Sequence, residues 1–457
     1  MKYVSTRGKI APVSFKDAVM MGLAEDGGLI VPSDIPNISA DELKRLSKLT
    51  YPGLAYEIIK LFATDIEPEI LKNIINKSYA AFDTDEVIPV VKKDGIHIAE
   101  LFHGPTFAFK DVALQFLGNL FEHILEERGE KLNIIGATSG DTGSAAIYGV
   151  RGRKNIRIFI LHPKGRVSPV QEMQMTSVTD DNVFNLAVDG TFDDCQDIVK
   201  EIFGDVDFKK KHSLGAVNSI NWARVLAQIV YYFWCRFRTE TDGKVSFVVP
   251  TGNFGNIFAG YFAKQMGLPI DKLILATNEN NILTRFIMAG DYSQKDVVKT
   301  YSPSMDIQIA SNFERYLYFL YKQDAAKVDL LMKALKAEKA IRFPENDIVY
   351  VQEDFDSYSA SNPETVDIIS KFYKEYSYML DPHTACGVAA ALRHKNGVPL
   401  VCLATAHPAK FPEVVVKATG TEPEKPEGIR RLESLERRIV DMPCDTAIIK
   451  EFVSQNV

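Results

Sequence analysis

From residue 132 onward, short apolar runs alternate with glycine-containing loops and amphipathic stretches. LNIIG (132–136) leads through ATSGDTG to the helix SAAIYGV. IRIFIL (156–161) leads through HPKGRV to a helix with a full set of start signals: Ser168 at N-cap, Pro169 at N1 and Gln171 at N3. VFNLAV (183–188) precedes the helix FDDCQDIVKEIF, where Thr191 and Asp194 form a similar box. VSFVVP (245–250) leads through TGNFGN to IFAGYFAKQM, KLILAT (272–277) follows, and VPLVCLA (398–404) enters TAHPAKFPE near the end. Continuous apolar strands between helices predict an α/β protein with open, mostly parallel sheets covered on both faces. Ligands of such sheets sit beyond the carboxyl ends of the strands, where these loops lie.

The first 86 residues follow a different pattern and predict a mainly helical N-terminal domain. Ser14 and Ser39 are N-caps, LIVP is a short strand, and helical patterns run near 53–63 and 68–82. VIPVVKKDGIHIAEL then predicts a hairpin around Asp94-Gly95. Residues 283–375, with stretches such as DAAKVDLLMKALKAEKA, interrupt the strand rhythm and are expected as a helical insertion. The catalytic region would thus comprise 87–282 and 376–457. At ~150 residues per domain, 457 residues suggest two or three domains.

Composition narrows the class. With 46% hydrophobic and 25% charged residues the chain is ordinary globular protein. A net charge of -7 argues against a nucleic-acid groove or an anionic membrane surface. No apolar stretch is long enough to span a bilayer, and no signal peptide is expected. Five cysteines without a CxxC pair fit a reducing cytoplasm. The histidines show no HxxxH or HExxH spacing, so no metal site is expected.

Lys110 is the chemically unusual residue. It follows the turn Gly104-Pro105 and the aromatic pair Phe107 and Phe109, just before an amphipathic helix expected to begin at Asp111. A cation at a helix N-terminus is disfavoured by the macrodipole. Either its amine is condensed with a carbonyl in the working protein, or it snorkels from a buried turn. Thr251-Gly-Asn-Phe-Gly-Asn256 combines two glycines, two asparagines and a helix start, an anion nest suited to a phosphate ester held as a handle. A tight strand–helix turn is the alternative. Gly136–Gly143 lacks the lysine of a P-loop, leaving a donor-rich loop that could take a carboxylate. Asn218, Asn221 and Arg224 open the helix that runs on through VLAQIVYYFW and share a face, and Arg224, poorly placed for the dipole, points to an anionic partner or to a surface salt bridge. Lys164 and Arg166 are further anion candidates.

The words HGPTFAFKD, GATSGDTGSAA, HPKGRVSPVQEMQM, VDGTFDDCQ, NSINWARVLAQ, PTGNFGN, SNFER and DPHTACG resemble the threonine synthase family in its longer microbial and fungal form. That family consists of pyridoxal-phosphate enzymes of the tryptophan-synthase-β type. The resemblance runs from STRG and EDGGL to ATAHPAKFPE, nearly the whole chain. It implies that Lys110 carries pyridoxal 5'-phosphate. Gly252, Asn253, Phe254, Gly255 and Asn256 would form the phosphate cup, with the Thr405 hydroxyl facing the pyridine nitrogen. It further implies conversion of O-phospho-L-homoserine and water to L-threonine and phosphate. Thr138, Ser139, Asp141 and Thr142 are then expected around the substrate carboxylate and ring. Lys164, Ser219, Asn221 and Arg224 are expected at its phosphate. The expected protein is cytoplasmic, and a monomer or weak homo-oligomer. A related phospho-lyase making a keto acid and ammonia, or a non-catalytic anion-binding α/β protein, are the rival readings.

Overall fold

The computed structural model describes residues 1–138 and 140–457. A six-stranded sheet runs in the order Phe355–Ser359, Ile270–Thr277, Val245–Pro250, Leu400–Ala404, Ile96–Glu100, Val90–Lys93. Every neighbouring pair is parallel except the last, which is the hairpin around Asp94-Gly95. A five-stranded parallel sheet runs in the order Val440–Met442, Val183–Val188, Ile156–Pro163, Leu132–Ala137, Leu214–Gly215. All six residues of Val245–Pro250 are buried, as the largely apolar run, broken only by Ser246, requires of a strand covered on both faces.

The helix Lys110–Arg128 begins one residue earlier than expected, so Lys110 occupies its first helical position. It lies against the helix Asp141–Val150 at very close range. A Cβ on Gly118 would stand 1.8 Å from the carbonyl oxygen of Gly149, and one on Gly149 would stand 2.5 Å from that of Leu114. Only glycine allows the two backbones to approach so closely, and the approach brings the helix start at Asp141 up to Lys110.

The N-terminal segment has its helices, at Phe15–Met21, Ala40–Leu46, Tyr51–Ile59 and Pro68–Tyr79, the first two capped by Ser14 and Ser39 as expected. It also holds an antiparallel ribbon, Tyr3–Ser5 with Ile30–Pro32. Its apolar side chains join the core around the Lys110 helix and Trp222–Arg236, with Tyr3 and Phe62 against Trp222 at ring-centroid distances of 6.3 and 6.0 Å.

Segment 283–375 departs from a helical insertion. It supplies the edge strand Phe355–Ser359 and a second antiparallel ribbon, Asp291–Ser293 with Ala340–Arg342. FDSYS is short and polar, as an edge strand is, and its apolar pattern is too weak to stand out in sequence. The C-terminal residues return to the smaller sheet as Val440–Met442 and the helix Thr446–Gln455. Among the described residues no helix is long and apolar enough to cross a membrane.

Candidate active site

The carboxyl ends of Val245–Pro250, Leu400–Ala404 and Leu132–Ala137 open into a cavity of about 890 Å³. Lys110, Thr138, Asp141, Thr142, the whole loop 251–256 and Thr405 line it. The Lys110 turn is stitched to the end of Leu400–Ala404: the Phe109 amide donates to the Thr405 carbonyl at 2.9 Å, and Ala108 bridges Ala406. That pairing carries Thr405 to the lysine.

Lys110 is buried, 4.9 Å from the centroid of the Phe109 ring. Its Nζ lies 3.7 Å from Asp141 Oδ2. Burial lowers its pKa; Asp141 opposes that, while Lys410 and Arg224 add to it. Asp141 is surrounded by donors. Lys410 Nζ is 2.8 Å from Oδ1, Gln171 Nε2 donates to Oδ1 at 2.8 Å, and Ser304 Oγ donates to Oδ2 at 3.3 Å. Burial alone would raise its pKa, but Lys410 and Lys110 outweigh it and hold Asp141 far below the usual carboxylate range. Asp141 therefore faces two lysines as an anion. It stands against them rather than presenting a donor to a substrate carboxylate, which it would repel.

The loop 251–256 has the features of an anion cradle. The helix Gly255–Gln265 starts without a side-chain cap, leaving its first N–H groups free. Gly252 is where the chain is tightest, since a Cβ there would stand 2.8 Å from the Ser304 carbonyl oxygen. Phe254, and not either glycine, takes the left-handed conformation, at φ 63°. Strain of this kind in a non-glycine residue gathers at ligand sites. Asn256 Oδ1 accepts from Tyr231 and Tyr232, and its buried Nδ2 has no partner among the described residues. Asn312 fixes the loop by donating to the Asn253 carbonyl from its amide at 3.0 Å and from Nδ2 at 3.1 Å.

Comparison with known proteins agrees along the whole chain. Residues 2–79 match the threonine synthase N terminus, 91–400 the pyridoxal-phosphate dependent enzymes, and 384–453 the threonine synthase C-terminal family. Threonine synthase of Schizosaccharomyces pombe is 47% identical over 455 residues, covering 91% of this chain and 88% of that protein. The enzyme of Saccharomyces cerevisiae is 46% identical over 503 residues, covering 100% and 98%. The chain belongs to the threonine synthase family. The crystal structure of pyridoxal-phosphate-bound threonine synthase from Brucella melitensis superposes with a TM-score of 0.97 at 45% identity, covering 100% of this chain and 99% of that one. The family's activity and cofactor are thereby this chain's: it is a pyridoxal-phosphate-dependent lyase that forms threonine.

The residues fit that cofactor on this structure's own terms. A phosphate ester is matched by the uncapped helix start, the Gly252 cradle and the orphaned Asn256 donor, and an aldehyde by a buried lysine in the same cavity.

Of the residues expected at the threonine synthase substrate, Ser219 and Arg224 line the cavity, as does Asn218. Arg224 is 4% exposed and has no carboxylate partner among the described residues. Nη1 donates to the Val217 carbonyl at 3.1 Å, Nε has no partner among the described residues, and burial lowers its pKa to about 10. Three candidates are not brought there or cannot be placed. Asn221 is the N-cap of Trp222–Arg236, accepting from the Ala223 amide and donating to the Val19 carbonyl. Lys164 is exposed and paired with Asp441 at 2.7 Å, on the C-terminal strand, and neither it nor Arg166 lines the cavity. Ser139 lies outside the described residues. Sequence reasoning missed Lys410, Gln228, Ser304 and His383. Lys410 and His383 stand inside two of the family words, ATAHPAKFPE and DPHTACG, and Gln228 sits one turn beyond Arg224 on the same helix face.

Proposed function

We propose that the chain converts O-phospho-L-homoserine and water to L-threonine and phosphate. The observation that carries this reading is Arg224, a buried guanidinium without an acid partner among the described residues, in the same cavity as Lys110 and the 251–256 loop. A cavity with one phosphate cradle and a second, separate cation suits a cofactor phosphate and a doubly anionic substrate.

Pyridoxal phosphate, when bound, supplies a ring that draws electrons from the carbon bearing the amino group. The N–H groups of 252–256 and the Asn256 amide would hold its phosphate, Lys110 its aldehyde carbon, and the Thr405 hydroxyl its ring nitrogen. A hydroxyl bonds that nitrogen without fixing a full proton on it, as a carboxylate would. Arg224, Ser219, Thr138 and Thr142 would hold the substrate carboxylate and phosphate. Lys110, buried and 3.7 Å from Asp141, would take and return protons at Cα and Cβ. Phosphate leaves from Cγ and the hydroxyl of water arrives at Cβ. We further take the protein to be cytoplasmic and a monomer or weak homo-oligomer, with residues 1–86 as a largely helical N-terminal domain whose apolar side chains share the core of the catalytic region.

Purified protein given phosphohomoserine should release threonine and phosphate in equal amounts, and Lys110→Ala should release neither. Borohydride treatment should fix the pyridoxyl group on Lys110, as read by peptide mapping. A keto acid and ammonia as main products, or the label on another lysine, would overturn the assignment.

A further inference from the structure

Lys410 has no place in the reading above, yet it is a fully buried cation beside the site. It closes the short 3-10 turn Pro408–Lys410, is 0% exposed, and does not line the cavity. Its Nζ donates to the Thr106 carbonyl at 2.6 Å and pairs with Asp141 at 2.8 Å. Asp141, the first residue of its helix, is thus one carboxylate between two buried ammonium groups, and it stands nearer to the one the cavity does not reach. Every other charged group around Lys110 is accounted for. Arg224 faces it from the helix Trp222–Arg236 as a third cation, and Asp111 stands on its own helix. The Asp111 carboxyl is occupied by the Thr106 amide at 2.8 Å and hydroxyl at 2.7 Å. His383 faces Asp141 rather than Lys110. Its Nδ1 bonds Asp381 at 2.9 Å, and its Nε2 accepts from the Ser304 amide at 3.2 Å, so both ring nitrogens are engaged away from Lys110.

We propose that Lys410 is a positioning residue for Lys110: it holds Asp141 in the closer pair, leaving Lys110 with a shared counterion and an amine that sheds its proton inside the cavity. The reason is electrostatic. Like charges in a dry site disfavour each other, and the first to give up a proton is the one whose ion pair is longest. At 3.7 Å against 2.8 Å, that one is Lys110. Lys410 also fixes where the carboxylate points, because its second bond, to the Thr106 carbonyl, anchors it to the turn that leads into Lys110.

The inference rests on Lys110 being the cofactor lysine, and the experiment separates the two. Only a neutral amine adds to an aldehyde carbon, the carbonyl oxygen then leaving as water. The rate at which cofactor-free protein captures pyridoxal phosphate, followed by absorbance from pH 6 to 10, therefore reports the Lys110 midpoint. Lys410→Met should raise that midpoint by about one pH unit or more, slowing capture at pH 7 about tenfold. Lys410→Arg, which keeps the charge, should stay near the parent. Asp141→Asn, which removes the attracting anion, should move the midpoint the other way. A structural role for Lys410 would change rates without this reversal of sign. A parent-like midpoint in folded Lys410→Met, or shifts of the same sign in Lys410→Met and Asp141→Asn, would overturn the inference. If Lys410→Met does not fold, a parent-like or raised midpoint in Asp141→Asn overturns it. A borohydride label away from Lys110 would instead overturn the underlying assignment.

Discussion

Replacing Arg224 by methionine should move substrate binding and stability in opposite directions. The guanidinium is buried, without an acid partner among the described residues, and its pKa is lowered to about 10 by desolvation. A displacement of that size corresponds to roughly 3 kcal/mol against the charged form. Methionine removes that burden and fills similar space. It also removes one bond to the Val217 carbonyl, worth about 1 kcal/mol. The cofactor-free variant should therefore be as stable as the parent, or more stable by up to about 2 kcal/mol. The substrate should lose a charge-assisted bond worth roughly 1.5–3 kcal/mol, or about 10- to 150-fold in affinity. Steady-state kinetics on phosphohomoserine should show KM raised by that factor, and cofactor affinity measured by absorbance should change little. Urea unfolding supplies the stability. An unchanged KM would refute the reasoning. If stability also fell by more than about 2 kcal/mol, Arg224 would be a tether for the Val217 turn and nothing more.

Gly252→Ala should weaken pyridoxal phosphate binding, because its Cβ would meet the Ser304 carbonyl at 2.8 Å, and overpacking of this kind costs about 1–3 kcal/mol, roughly 5- to 150-fold. Gly255→Ala, whose Cβ meets no backbone and has the Asn312 side chain nearest at 3.1 Å, should bind nearly as the parent does, and equal affinities for all three proteins would count against the cradle. Asp111 gives a pH dependence, since burial raises its pKa to about 6. A folded pKa above the unfolded value means a contribution complete below about pH 4 and lost as pH rises through 6, up to roughly 3 kcal/mol. Asp111→Asn should flatten urea stability between pH 4 and 7.5, and a parent-like slope in the variant would show that Asp111 titrates normally.

What the sequence determined by itself was everything that depends on neighbours along the chain. The strands Val245–Pro250 and Ile156–Pro163 announce themselves because a strand covered on both faces must be mostly apolar, with only Ser246, Arg157 and His162 breaking the runs. Ser14, Ser39, Ser168 and Thr191 cap helices because a side-chain oxygen reaches an amide three residues on. The loop 251–256 and the oddly placed Lys110 were legible for the same reason: a helix start and the residues before it are local. Tertiary structure alone decided which charges meet. Lys164 and Arg224 look alike as cations, but the C-terminal strand brings Asp441 to one, while burial leaves the other without an acid among the described residues. Asn221 looked like a ligand donor, and the fold spends it on a helix cap and the Val19 carbonyl. The arrangement of Lys110, Asp141 and Lys410 joins three distant segments. It exists because Gly118 and Gly149 let two helices touch, and because Leu400–Ala404 ends beside the Lys110 turn. Electrostatic energy depends on distance through space, and distance along a chain says almost nothing about it.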